Sequence, residues 1–220
     1  MEDVLDVYHR PHDPKRPVVG LDEKPVQLVS DPPGLPARPP VPGRPGRCDY
    51  RYQRGGTANV FCAFERSGNR RLPRDPLGNW RALEVTGRRA KCDFAHFVRS
   101  LVDGRYKDAD AVVLVMDNLN THTPASLYAA FGPEEARRIT RKLEIHYTPR
   151  HGSWLNVAEI EPSVLGRRLP GRCPDAAQLA AHARALADER NAAGAGCDWR
   201  FTTPDARIKL KRLYPSVQLR

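Results

Sequence analysis

The stretch AVVLVMDN (111–118) decides the fold. Six apolar residues without polar alternation are followed at once by Asp117 and Asn118. A strand that is apolar at every position is central in its sheet and covered by helices on both faces. An acid directly after its last residue lies at the carboxyl end of that strand, where reacting groups gather in such sheets. Working outward, Phe94, Phe97, Val98, Leu101 and Val102 recur at helical spacing and predict an amphipathic helix over 93–102. Beyond Asp117 we expect helices over 124–131 and 133–143, a short strand over 143–148, and a helical segment from Ser153 onward with Ser153 as its N-cap. A further helix spans 175–193, with Asp175 as its cap and Gly194 as its stop.

Upstream the period is that of strands. Residues 80–86 (WRALEVT) read as a strand after a turn at 75–79. Residues 50–54 and 58–65 flank Gly55-Gly56, which reads as a hairpin turn. The run PVVGLDEKPVQLV (17–29) is β-rich, and seven prolines between 32 and 45 require an extended surface loop. The expected fold class is therefore α/β: a mixed sheet, with an antiparallel meander followed by parallel strands, flanked by helices. No internal repeat is evident.

Composition narrows the function classes. The chain has 220 residues, 40% of them hydrophobic, and carries a net charge of +10. That is enough apolar material for a core, so wholesale disorder is excluded. The longest apolar run is far too short for a membrane span, and MEDVLDVYHR has no apolar stretch of signal-peptide length. The five cysteines form no CxxC, which argues against a zinc ribbon or a disulfide framework. The basic excess points to a polyanion, because cations that neutralise phosphates gain affinity by releasing counterions. It gathers at 32–60 and at 160–220, ending in Lys209, Lys211 and Arg212.

Two carboxylates stand out, and a third joins them. Asp117 reads either as a turn aspartate capping the next helix or as a reacting group at the strand end. Glu159, in SWLNVAEIE (153–161), is either a solvated helix glutamate or a member of a polar face with Asn156 and Ser163. Asp22 follows the β-rich Val18-Val19. Three such acids from distant segments make a hard oxygen donor set for divalent cations. Two Mg²⁺ ions so held would suit phosphodiester chemistry on a basic surface. His122, His146 and His151 do not have zinc spacing, so a phosphate contact or support of a neighbouring ligand is the expectation for them. Asn118 and Asn120 read as holding the loop after the strand. Trp154 reads as a core anchor, with a base-stacking platform as the alternative.

At these residues the chain resembles a known family. VVGLDEKPVQLV (18–29), VVLVMDNLNTH (112–122), LEIHYTPRHGSWLNVAEIE (143–161) and FTTPDARIKLKRLYPS (201–216) resemble the mariner-like transposases of bacterial insertion sequences, in the six-thirty group. The resemblance implies an RNase H-like fold with a DDE triad of Asp22, Asp117 and Glu159, catalytic and metal-holding at once. It implies Mg²⁺ or Mn²⁺ as cofactor, two ions in number, and DNA as partner, both transposon ends and target. Lys24, Arg150, His151, Lys209, Lys211 and Arg212 are the candidate DNA contacts. The implied activity is cleavage at transposon ends and attack of the freed 3′-hydroxyl on target DNA. We expect a catalytic domain over 1–168, including the Pro-rich loop 32–45, and a helical, basic segment over 169–220. A homodimer, no membrane partner and a bacterial cytoplasmic, nucleoid-associated location are the accompanying expectations. The family carries a helix-turn-helix region before its catalytic domain, whereas twenty-one residues precede Asp22 here, so a chain lacking that region is expected. Pro162, three residues past Glu159, is a poor helix-interior residue. Two other readings stay open: an inactive remnant that binds DNA non-specifically, and an RNase H-type nuclease on RNA–DNA hybrids.

Overall fold

The computed structural model describes residues 1–66, 79–150, 152–169, 171–197 and 199–214. The turn expected at 75–79 lies outside these residues apart from Asn79, as does His151. The elements run α1 (Glu2–His9), β1 (Val18–Ser30), β2 (Gln53–Glu65), β3 (Arg81–Thr86), α2 (Lys91–Asp103) and β4 (Val112–Met116). Then follow α3 (Pro124–Ala130), α4 (Pro133–Arg141), β5 (Leu143–Tyr147), α5 (Ile160–Arg168), α6 (Ala176–Ala192) and α7 (Thr203–Lys209).

The strands form one sheet in the order β3-β2-β1-β4-β5. β1, β2 and β3 pair antiparallel, while β4 pairs parallel with β1 and with β5. This is an RNase H-like mixed sheet flanked by helices, the expected class. β4 is buried throughout because its side chains alternate between two cores. Val112, Leu114 and Met116 face α2, α3 and α4 with Phe94, Phe97, Leu127 and Ile139. Val113 and Val115 face α1 and the turns before α5, with Leu5, Tyr8, Leu155 and Val157. A third cluster continues the second face, where Leu179, Ala183 and Leu186 of α6 cover Leu28, Ala58 and Val60.

Three local expectations are corrected. Gly55 and Gly56 do not turn a hairpin; both lie inside β2, which pairs with β1. The register shifts by one residue between Gln27 and Val29 opposite them, and Gly56 has φ +94°. That is the signature of a bulge, whose left-handed residue glycine supplies without strain. Gly55 is needed for close approach, since a Cβ there would lie 2.8 Å from the Pro174 carbonyl oxygen.

The segment from Ser153 is not one helix. Two 3₁₀ turns, Ser153–Leu155 and Val157–Glu159, precede α5. The capping is done by Asn156, whose side chain accepts the Ala158 N–H. Because α5 starts only at Ile160, Pro162 falls in its first turn, where a missing N–H costs nothing.

Trp154 is the third: it is 43% exposed and not a core anchor. The short turn that carries it leaves it at the rim, edge-on to Phe201 with centroids 5.7 Å apart.

Candidate active site

β1 runs on to Ser30, whereas its parallel partner β4 ends at Met116. Their pairing, Val18 with Val113 through Gly20 with Val115, carried two residues further sets Asp22 beside Asp117. The two acids thus stand where the strands part, at the carboxyl end of β4. Pro25, which has no N–H to give, lies on the part of β1 that no longer pairs with β4.

Glu159 reaches the same end of the sheet by a different route. Asn156 donates from Nδ2 to the Leu21 carbonyl oxygen at 2.8 Å, tying the turn to β1 one residue from Asp22. The Tyr8 hydroxyl, from α1, accepts the Val157 N–H at 3.1 Å. Gly20 makes the approach possible. A Cβ there would lie 2.9 Å from Val157 Cγ1 and 3.0 Å from the Ala158 nitrogen.

The electrostatics follow from these placements. Burial, together with the negative charges of Glu23, Glu159 and Asp117, raises the Asp22 carboxyl to about 7, against the stabilising Glu23 N–H it accepts at 2.9 Å. Asp117 is held below the usual carboxylate range by its hydrogen bond with His122, against half-burial and with help from the His122 and Arg89 charges. His122 is fully buried, with Nδ1 2.7 Å from Asp117 Oδ1. Its Nε2 lies 2.7 Å from Glu23 Oε2, a charge contact off the line of a hydrogen bond. Burial pulls its pKa down, but the two carboxylates more than offset this and carry it to about 9. His122 is therefore an imidazolium clamped between two acids.

The carboxylates of Asp22, Asp117 and Glu159 are the kind of oxygen donor that a divalent cation takes. They are not gathered around a point: among the described residues no three His, Cys, Asp or Glu side chains stand close enough to hold an ion.

The candidate DNA contacts are dispersed. Lys24 reaches over α5, with Nζ 3.4 Å from the Pro162 carbonyl oxygen. Arg150 is exposed after β5, and Lys211 and Arg212 are exposed past α7. Lys209 stands 5.7 Å over the Phe201 ring. His146 is taken up by Asp3 and Glu144, at 2.7 and 2.9 Å. Asn118 holds its loop, donating to the Thr148 carbonyl oxygen at 2.6 Å.

Sequence reasoning missed Glu23, Tyr8 and the capping role of Asn156. It also missed Glu161, which is 1% exposed and bound by Arg81 and Arg190. That pairing gives it a structural place despite lying two residues from Glu159.

A five-stranded mixed sheet with Asp22 and Asp117 side by side at the end of its central parallel pair is an RNase H-like arrangement. Residues 17–179 match the DDE superfamily endonuclease family, and the chain belongs to it. No curated protein matches the chain. Among solved structures it is similar to the Mos1 mariner paired end complex with Mn, at 16% identity and TM-score 0.47. The Mos1 transposase paired-end complex with left transposon end gives the same values. In both the match covers 90% of this chain, which spans 61% of the other. The Mos1 strand transfer complex follows at 16% identity and TM-score 0.45. Among the described residues no helix is long and apolar enough to cross a membrane.

Proposed function

We propose that the chain is the catalytic domain of a DDE transposase, cutting DNA at transposon ends and joining the freed 3′-hydroxyl to target DNA. The observation that carries this is the placement of Asp22 and Asp117 at one strand fork, with the Glu159 turn pinned to the same strand by Asn156. Membership of the endonuclease family and the motifs at 18–29, 112–122 and 143–161 support it.

In this reading Asp22, Asp117 and Glu159 are the groups that would hold Mg²⁺ or Mn²⁺, two ions in number. Such ions supply Lewis-acid charge for phosphodiester chemistry. Asp22 and Asp117 are fixed by backbone, and His122 holds the Asp117 carboxylate in place. Glu159 rides on a turn and closes the donor set from the side. Residues 1–168 carry all three acids. Residues 169–220 add Lys209, Lys211 and Arg212 to the basic surface, with Lys24, Arg150 and His151 as further DNA contacts. The chain works as a homodimer in a bacterial cytoplasm, on nucleoid DNA, and belongs with the six-thirty insertion sequences.

The second reading, an inactive chain that still binds DNA, is favoured by the spread of the three acids. One assay decides between them. Duplex DNA bearing the terminal repeats is incubated with Mg²⁺ or Mn²⁺, and nicking is followed on a gel. Activity that is lost in Asp22→Asn, Asp117→Asn and Glu159→Gln establishes the enzyme. Absence of nicking with either metal, with the same duplex retarded in a gel shift, establishes the binder.

A further inference from the structure

Next to Glu159 lies a cavity of about 280 Å³ that the triad does not account for. Trp154 and Trp199 wall it with rings, Ser163 and Arg167 of α5 add polar groups, and Glu159 forms part of its lining. Three features of this cavity point the same way.

The first is an aromatic surface left uncovered. Trp154 is among the largest apolar side chains and keeps 43% of its surface open, though a core of suitable size lies one residue away at Leu155. Its edge is fixed against Phe201, so the ring is held rather than loose. Trp199 is fixed in turn by its indole N–H, which donates to the Phe201 carbonyl oxygen at 2.9 Å, and by Tyr8 at 5.3 Å.

The second is the charge around the rings. Arg167 lines the cavity, while its neighbour Arg168 is the one that pairs with Glu189. Lys209 stands 5.7 Å over the ring of Phe201, which Trp154 meets edge-on. Rings interleaved with cations are the pattern that holds a single nucleic acid strand: bases stack on the rings while phosphates meet the cations. A protein partner would not require that combination.

The third is position. The wall shared with Glu159 puts the rings within reach of a nucleotide whose phosphate is at the acids. A base stacked in a duplex cannot enter such a cavity, so its occupant must be unpaired.

We infer that Trp154, with Trp199 and Arg167, forms a binding site for one unpaired base of the DNA strand, next to the phosphate held at Glu159. This rests on the transposase reading for the identity of the strand and its phosphate. Trp154 supplies the stacking face, Trp199 closes the cavity behind the base, and Arg167 meets the adjoining phosphate.

The test reads binding, so it does not depend on turnover. Two fluorescein-labelled duplexes are titrated with the full chain in Ca²⁺ and followed by anisotropy. One ends in a 3′ overhang of three thymidines, the other in three abasic residues. Wild-type protein is expected to prefer the thymidine overhang. Trp154→Ala is expected to lose about ten- to hundredfold on it, the usual worth of one stacked base, and to bind the abasic duplex as wild type does. Trp154→Phe keeps a stacking face and is expected to retain most of the preference. Arg167→Gln is expected to weaken both duplexes alike, with a shallower salt dependence. Equal affinity of Trp154→Ala and wild type for the thymidine overhang overturns the inference, and so does an equal loss on both duplexes. Nicking is measured in parallel on the wild-type chain. Its absence bears on the transposase reading alone, and its presence beside an inert Trp154→Ala removes the base site alone.

Discussion

His122 Nδ1 and Asp117 Oδ1 lie 2.7 Å apart in the interior, with no part of the imidazole ring exposed. The ring packs against Phe94, centroids 4.9 Å apart, which restricts its rotation away from the carboxylate. Fully buried, it contacts the Asp117 carboxylate from the interior, where it can hold that group still.

Loss of that hold has a readable effect. Groups that orient a metal-binding carboxylate commonly account for about ten- to a hundredfold in affinity or rate. His122→Ala is therefore expected to lower the nicking rate by that order and to raise the Mg²⁺ concentration needed for half-maximal rate. An unchanged metal dependence, measured at matched folded fraction, would show that Asp117 is held by its backbone and the Leu119 N–H alone.

The buried charge at Glu161 predicts stability rather than activity. Its carboxylate is 1% exposed and meets Arg190 at 2.9 Å through two nitrogens and Arg81 at 3.2 Å. Arg81 is also fully buried, with Asn191 as a further partner at 3.1 Å. Removing one partner of such a set strands the others without compensation, at a cost of about 3–5 kcal/mol. Glu161→Gln is expected to move the urea midpoint down by the corresponding amount. A shift below about 1 kcal/mol would mean that water or a rearranged Arg190 replaces the lost charge.

Acid titration singles out Glu144. Its carboxyl is pulled down to about 2 by hydrogen bonds from Arg10, then His146 and Arg16, against modest burial. A carboxylate whose pKa is lower folded than unfolded stabilises the fold above the unfolded value, about 4.3, and loses that contribution as the pH falls toward 2. Wild type and Glu144→Gln are thus expected to differ by a constant amount above pH 5 and to converge in acid. Thermal melts between pH 2 and 7 check this. Parallel curves throughout would show that the ion pairs to Arg10 and Arg16 contribute nothing.

Much of the sheet could be read from residue order because its signals are local. The uninterrupted apolar run before Asp117, the helical spacing of Phe94 to Val102 and the Asp175 cap each act within one element, and each element formed close to its expected bounds. The misreadings share a cause: tertiary contact overrode a local signal. Gly55-Gly56 looks like a turn, but the length of β1 and the approach of Pro174 make it a bulge in a long strand. The segment after Ser153 has helical spacing, but the bond from Asn156 to Leu21 fixes it as two short turns. α1 carried a signal that went unused. Acids in its first turn precede Val4, Leu5 and Tyr8 on one face, and that face is wholly buried. The three acids were proposed through motif likeness. Their neighbours Glu23 and Tyr8 were not, because only the fold brings them near.

The ring of charge around Glu161 also fixes what can be removed from the molecule. Arg190 and Asn191 sit in α6, and that helix covers Leu28, Ala58 and Val60 on the sheet. A chain ended at residue 168 would lose both the lid over that apolar surface and two of the partners that make a buried Glu161–Arg81 pair tolerable. The stretch carrying the three acids is therefore expected to need α6 in order to fold. A chain ended at 168 is expected to aggregate on expression, and a soluble, cooperatively melting fragment would show that α6 is dispensable.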